Sequence, residues 1–149
     1  MSDALDRLRA FVGEWETTAT FAPDRGVPEL HGRTVFEWAL GGAFLLQRSA
    51  IEHPVPDSIS IIGVNPDGAT YTQHYFDERG VARLCGMTFD GARWTLTREQ
   101  EDFTPLEFAQ RFRGTFEVDH SVIRGQWEIR FPGQYWEKDF ELTYVRVGS

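Results

Sequence analysis

Phe36-Glu37-Trp38-Ala39-Leu40-Gly41-Gly42-Ala43-Phe44-Leu45-Leu46-Gln47-Arg48 sets two runs of strand-forming residues on either side of a Gly-Gly pair. Glycine adopts the positive φ that a two-residue hairpin turn requires, so the stretch reads as an antiparallel hairpin. With Gly41 and Gly42 at the turn, Leu40 faces Ala43, Trp38 faces Leu45 and Phe36 faces Gln47. The other face then carries Glu37, Ala39, Phe44, Leu46 and Arg48. Further turn signals follow at short intervals: Asn65-Pro66-Asp67-Gly68, Asp77-Glu78-Arg79-Gly80, Asp90-Gly91, Asp119-His120 and Pro132-Gly133. They separate roughly ten strands, near 14–22, 32–40, 43–53, 58–64, 69–76, 81–89, 92–100, 106–118, 121–131 and 135–146. Successive short turns make an up-and-down antiparallel meander, and one this long closes into a barrel, which removes its edges. Only residues 3–11 read as helix. Ser2 is the expected N-cap, Asp3 and Asp6 suit the positive end, Leu5, Leu8 and Val12 share a face, and Gly13 ends it. A lone helix on an all-β domain plugs one end of the barrel.

The chain of 149 residues forms one domain, 1–149, long enough to bury about 70% of its unfolded surface without metal or disulfide. The single cysteine, Cys85, excludes an internal disulfide framework. No apolar run approaches the roughly 20 residues of a membrane span, and the start, MSDALDRLRAF, lacks a secretory pattern. The expected location is cytoplasmic, with no membrane partner. A net charge of −8 opposes nucleic-acid binding, which needs a basic surface.

Strand parity assigns the faces. Taking Asp90-Gly91 as a two-residue turn, Met87 faces Trp94, Cys85 faces Leu96 and Arg83 faces Arg98. Taking Asp77–Gly80 and Asn65–Gly68 as four-residue loops, His74 lies between Arg83 and Ile59, and Thr72 between Cys85 and Ile61. These pairings share one face, which also holds Phe76 and is the more apolar of the two, so it is expected inside. Tyr71, Gln73 and Tyr75 are expected outside. A one-residue slip would exchange the faces. In the last hairpin, Asp119-His120 pairs Phe116 with Ile123, Gly114 with Gly125, Phe112 with Trp127, Gln110 with Ile129 and Phe108 with Phe131. Its reverse sets Arg111 opposite Glu128 as a solvated ion pair. The final strand points Trp136, Phe140, Leu142 and Tyr144 inward, and the same alternation turns Lys138 inward.

The polar minority on the inner face carries the functional expectation. His74, Arg83 and Arg98 should form one row across adjacent strands, about 5 Å between neighbours. Cationic groups so placed repel unless an anion sits among them, and the arginine fork suits a carboxylate. The competing arrangement puts the row at the rim, with the arginines in water or paired to Glu99 and Glu101. Gln47 and Gln110 can orient a ligand by hydrogen bonds within an apolar wall of Trp38, Leu45, Met87, Trp94, Phe112 and Trp127. Cys85 reads as a small buried hydrophobe. His31, His53 and His120 are too scattered for a metal site, and no phosphate-cradling loop or nucleophile elbow occurs.

Val12-Gly13-Glu14-Trp15, Leu40 to Arg48, Tyr71 to Asp77, Asp90 to Leu96 and the closing Leu142-Thr143-Tyr144-Val145-Arg146 together resemble a bacterial lipocalin-like family of unknown function. That family belongs to the calycin-type barrels, alongside the fatty-acid-binding proteins and nitrobindin. The resemblance spans nearly the whole chain and implies a barrel of about ten strands around a small-molecule cavity. Nitrobindin-like members hold haem through a histidine on the last strand and carry Gly-x-Trp-x-Gly-x-Gly near the start. Here Glu16 and Thr17 follow Gly13-Glu14-Trp15, and residues 138–146 contain no histidine. Haem is disfavoured, and no cofactor is expected.

The resulting expectation is an all-β, up-and-down, calycin-like barrel with a short N-terminal helix that binds a small apolar or amphipathic, anionic ligand. The alternative is an enzyme (isomerase, cyclase or hydrolase) using His74 as acid or base in the cavity. A third reading has the barrel filled by its own aromatic side chains and acting through its surface, as a homodimer or partner module.

Overall fold

A computed structural model describes residues 3–148. The expected Ser2 cap lies outside the described residues. An α-helix, α1 (Asp3–Arg7), runs into a 3-10 turn (Leu8–Phe11). Ten strands follow: β1 (Gly13–Phe21), β2 (Leu30–Ala39), β3 (Phe44–Ile51), β4 (Ser58–Val64), β5 (Tyr71–Asp77), β6 (Ala82–Phe89), β7 (Arg93–Arg98), β8 (Ala109–Phe116), β9 (Val122–Arg130) and β10 (Glu137–Arg146). Each pairs antiparallel with its neighbour in sequence, and β1 pairs with β10 to close the barrel. Among the described residues no helix is long and apolar enough to cross a membrane.

The opening hairpin keeps the register expected of it: Phe36 lies opposite Gln47 and Trp38 opposite Leu45. Its turn is a 3-10 segment, Leu40–Gly42, in which Leu40, Gly41 and Gly42 all have positive φ (51°, 69° and 87°). Leu40 is thereby turned out to solvent at 78% exposure, and the ladder ends at Ala39 opposite Phe44, one pair short of the expected Leu40–Ala43. The β8–β9 hairpin matches residue for residue from Phe116–Ile123 to Gln110–Ile129, and the Phe108 and Phe131 rings meet just beyond it at 5.5 Å.

Between these hairpins the register departs from expectation. The β5–β6 connection has three residues, not four: Gly80 N–H donates to Asp77 O (2.9 Å) and Asp77 N–H to Val81 O (3.1 Å), with Gly80 at φ 84°. That is a type I turn followed by a left-handed glycine. The one-residue difference sets Tyr75 opposite Arg83 and Gln73 opposite Cys85. Parity on β5 is therefore reversed. On β4 it is reversed too, because the β4–β5 loop (six residues, closed by Asn65 N–H to Thr70 O at 2.8 Å) shifts the pairing by two. Ser58, Ser60, Ile62, Tyr71, Gln73 and Tyr75 point inward, while Ile59, Ile61, Thr72, His74 and Phe76 point outward. At β6–β7 the turn is centred one residue later, on Gly91-Ala92, so Met87 faces Leu96 and Phe89 faces Trp94 without change of face.

The outer side of β3–β6 is consequently apolar. Cross-strand rows run Leu46–Ile61–His74–Leu84 and Arg48–Ile59–Phe76–Ala82, with Ile59 and Phe76 about two-fifths exposed. Judging inside from outside by apolar count fails on these strands because the belt outweighs the polar residues that face inward.

One half of the barrel is solid. Ala4, Leu8 and Phe11 of the N-terminal segment are fully buried, in place of the expected Leu5, Leu8 and Val12 face. Phe11 inserts among Phe36, Phe89, Trp94 and Phe116, with ring centroids 4.7–5.0 Å apart. Burying a phenylalanine contributes about 2–3 kcal/mol, and ring-on-ring contacts add to it. The Tyr71 hydroxyl donates to Ala4 O (2.6 Å), and Arg146 donates to Ala10 O and Val12 O (2.7 and 2.8 Å), which stitches the segment across one end as a plug.

Candidate ligand-binding cavity

The half of the barrel away from the plug is hollow. A cavity of about 370 Å³ occupies it, bordered at the mouth by Pro54, Val55 and Pro56 of the β3–β4 loop. That volume falls within the range of small-molecule pockets. Its two walls differ in chemistry. The arc from β7 through β10 to β1 supplies Trp94, Phe112, Trp127, Phe140, Tyr144 and Phe21. The facing arc, β3 to β5, supplies Gln47, Ser49, Ser58, Ser60, Gln73 and Tyr75, and β6 adds Arg83.

Arg83 lies opposite Tyr75 and donates from Nη1 to Gln110 Oε1 (3.1 Å). It makes no ion pair among the described residues. Its Nε is buried without a hydrogen-bond partner, as is Nε1 of Trp94. Burial, then the nearby Arg98 charge, lowers the Arg83 pKa, yet a guanidinium retains its proton. Burial and the Asp77 carboxylate hold the Tyr75 phenol protonated, donating to Asp77 Oδ2 at 2.8 Å. Burial works to raise Asp77, but the Arg79 and Tyr75 hydrogen bonds outweigh it and bring Asp77 to about 2. Among the described residues, Arg83 is thus a cation on the chamber wall with no carboxylate in direct contact, while Asp77, held by Tyr75 and Arg79, acts on it from farther off.

Of the residues nominated from sequence, Gln47, Arg83, Trp94, Gln110, Phe112 and Trp127 line the cavity. Leu45 and Met87 are buried in the solid half, and Trp38 is half-buried there beneath Arg9. His74 is on the exterior, between Ile61 and Leu84, because of the β5–β6 slip. Arg98 points inward in parity but is spoken for. Its guanidinium grips Asp102 at two points (Nε–Oδ2 2.9 Å, Nη2–Oδ1 2.8 Å) and also donates to Thr104 O at 2.6 Å. The row of three cations does not form, and neither Glu99 nor Glu101 is the partner.

The Arg98–Asp102 pair closes a gap in the sheet. The β6–β7 ladder covers only Gly86–Phe89 and Trp94–Thr97. Beyond it, Asp102 Oδ2 accepts from Leu84 N–H (2.7 Å) and the Thr104 hydroxyl donates to Ala82 O (2.8 Å), so residues of the 99–108 loop substitute for a neighbouring strand. The Arg98 hydrogen bonds hold the Asp102 carboxyl well below the usual range.

Two placements near the mouth also change. A β-bulge between Lys138 and Phe140 turns Lys138 outward, where it pairs with Glu141 at 2.8 Å, and sends Trp136 outside against Arg111 and Arg130. Glu128 pairs with Arg111 as expected, but it is buried at 7% exposure and shared with Arg113, both at 2.8 Å. The lining residues that sequence reasoning did not nominate include Ser49, Ser58, Ser60, Gln73 and Tyr75 of the polar wall and Phe21, Phe140 and Tyr144 of the ring wall. The polar wall's signal was the strict alternation Ser58-Ile59-Ser60-Ile61, assigned to the wrong side. Among the described residues no group of three or more His, Cys, Asp or Glu side chains is placed to hold a metal ion.

No family model matches this chain, and no curated protein matches it. Among solved structures it is similar to the crystal structure of Rv2717c from M. tuberculosis, at 16% identity over 99% of each chain and a TM-score of 0.68. The likeness is one of fold. It supports the closed barrel and carries no activity with it.

Proposed function

We propose that this barrel binds a small, largely apolar molecule whose anionic group lies against Arg83 near the mouth. The observation that carries the reading is Arg83 itself, a charge without a counter-ion on the wall of an aromatic-lined cavity. Arg83 is half-buried, with its Nε sealed from solvent and unpartnered, and a carboxylate or similar group would satisfy it through charge-assisted hydrogen bonds. The lipocalin-like resemblance of the sequence points to the same broad role, and a cytoplasmic site of action fits the single cysteine. The enzyme alternative drew its acid or base from His74, which the fold turns away from the cavity.

A matched pair of fluorescent probes tests the reading: 1-anilinonaphthalene-8-sulfonate and its neutral counterpart N-phenyl-1-naphthylamine. Arg83→Gln should weaken the sulfonate about tenfold or more and leave the neutral probe within about twofold. Equal effects on both probes, or none on either, would refute the assignment of Arg83.

A further inference from the structure

Most of the cavity's polar side chains are gathered on one side, and this restricts what can occupy it; on the other arc the polar atoms include the Gln110 amide, which accepts from Arg83, and Nε1 of Trp94. Gln47, Ser60 and Gln73 come from three adjacent strands and are 4–9% exposed. Gln73 Nε2 donates to Gln47 Oε1 at a long 3.4 Å. Among the described residues the Ser60 hydroxyl, Gln73 Oε1 and Gln47 Nε2 have no hydrogen-bond partner, and they are open to the cavity, not sealed off; a primary amide has two donors and two acceptor sites to satisfy. The opposite wall is built of rings. A head-and-tail amphiphile would fit poorly here: with its head at Arg83, its alkyl tail would run past these amides and the serine and strand them. Water displaced from such groups costs affinity unless the ligand reproduces its hydrogen bonds.

Resting on the ligand-binding reading above, we propose that the occupant is a compact ring acid whose polar substituents lie along one side. Its carboxylate or equivalent meets Arg83, and a second oxygen or nitrogen on the same edge meets Gln73 and Ser60. The ring's other edge and faces pack against Trp127, Phe112 and Phe140, where aromatic pairing adds to burial. Gln73 is opposite Cys85, two residues along β6 from Arg83, which puts the second polar contact roughly 6–7 Å deeper. That spacing is comparable to the separation of substituents at positions 2 and 7 of a naphthalene. The volume, about 370 Å³, holds roughly a dozen water-sized groups, the bulk of two fused rings with small substituents.

Four probes separate the possibilities by calorimetry: 7-hydroxy-2-naphthoate with both groups on one side, 6-hydroxy-2-naphthoate with them on opposite sides, unsubstituted 2-naphthoate, and decanoate. The 7-hydroxy isomer should bind about tenfold or more tighter than the 6-hydroxy isomer, with decanoate weakest. Gln73→Leu, or independently Ser60→Ala, should shrink the gap between isomers and leave 2-naphthoate within about twofold. Isomers that bind equally, a gap that neither substitution changes, or decanoate binding best would overturn the one-sided rule with cavity binding intact. If none of the four binds in an Arg83-dependent way, the ligand-binding reading falls, and this inference with it.

Discussion

Asp102→Ala tests how the gap between β6 and β7 is held shut. The Arg98 and Asp102 side chains are 2% and 4% exposed and form a two-point ion pair. Removing the carboxylate leaves a buried guanidinium with only Thr104 O as acceptor, and it strands the amides of Leu84 and Thr104. Breaking a buried pair from one side costs about 3–5 kcal/mol. For 149 residues, an unfolding entropy of about 2.1 cal/mol/K per residue gives about 0.3 kcal/mol/K, so Tm should fall by roughly 10–16 °C. Denaturant unfolding followed by circular dichroism measures the loss, and hydrogen exchange should show the Leu84 amide newly exposed. Arg98→Met combined with Asp102→Leu should recover most of the stability, because no lone charge remains. The pH dependence has a definite sign. The folded-state pKa of Asp102 is depressed, so its contribution is complete above the unfolded value of about 3.9 and fades as pH falls toward the folded one. Asp77 and Glu128 are depressed in both proteins, so the difference between the two stability–pH curves below about pH 4 isolates Asp102. A loss under about 1 kcal/mol at neutral pH, or parallel acid limbs, would refute the view that this pair holds the β6–β7 gap shut.

Other substitutions probe other parts of the argument. His74→Ala, on the outer face, should change stability by no more than about 0.5 kcal/mol and leave anilinonaphthalene sulfonate affinity unaltered; a tenfold loss of affinity would place the imidazole in the cavity after all. In Gly125→Ala the new Cβ would run into Cζ of Phe112, and the expected loss is about 1–3 kcal/mol by thermal unfolding. Phe112→Leu in the same background should regain part of it, and a neutral Gly125→Ala would show that the ring does not fold back over the Gly114–Gly125 pair. Burial pushes the Cys85 thiol up to about 11, so a disulfide reagent at pH 8 should modify the native protein about a hundredfold or more slowly than the unfolded chain. Similar rates would mean that the thiol is open to solvent.

The fold was legible because its turns are. Asp119-His120 sits between two strands whose inner faces are apolar, and that hairpin can be written down residue by residue. The site was only partly legible, for a physical reason. Polar-out and apolar-in patterning holds for a filled barrel, but a hollow one with a hydrogen-bonding wall inverts it locally. Ser58, Ser60 and Gln73 face inward while Ile59, Ile61 and Phe76 face water, so hydrophobicity pulled the face assignment the wrong way. The turn signal Asp77-Glu78-Arg79-Gly80 reads as a four-residue loop, whereas the chain closes one of three, and nothing in the alternation reveals the one-residue difference. Nothing local announces the bulge at Lys138, which shows only in the pairing of β10 with β9, or the use of Asp102 and Thr104 as a surrogate strand, whose partners Leu84 and Ala82 lie 18 and 22 residues earlier.

The N-terminal segment has a consequence for traffic. With Phe11 corked into one end, the barrel is a cul-de-sac: whatever goes in must come out the way it came. On the proposed reading, the leading end of a guest is sized against Trp94 and Tyr144 at the bottom, while the trailing end meets only Arg83 and the rim of Pro54, Val55 and Pro56. Bulk joined to that end beyond the rim can hang outside, so a barrel that binds as proposed would accept one terminus of something much larger than itself.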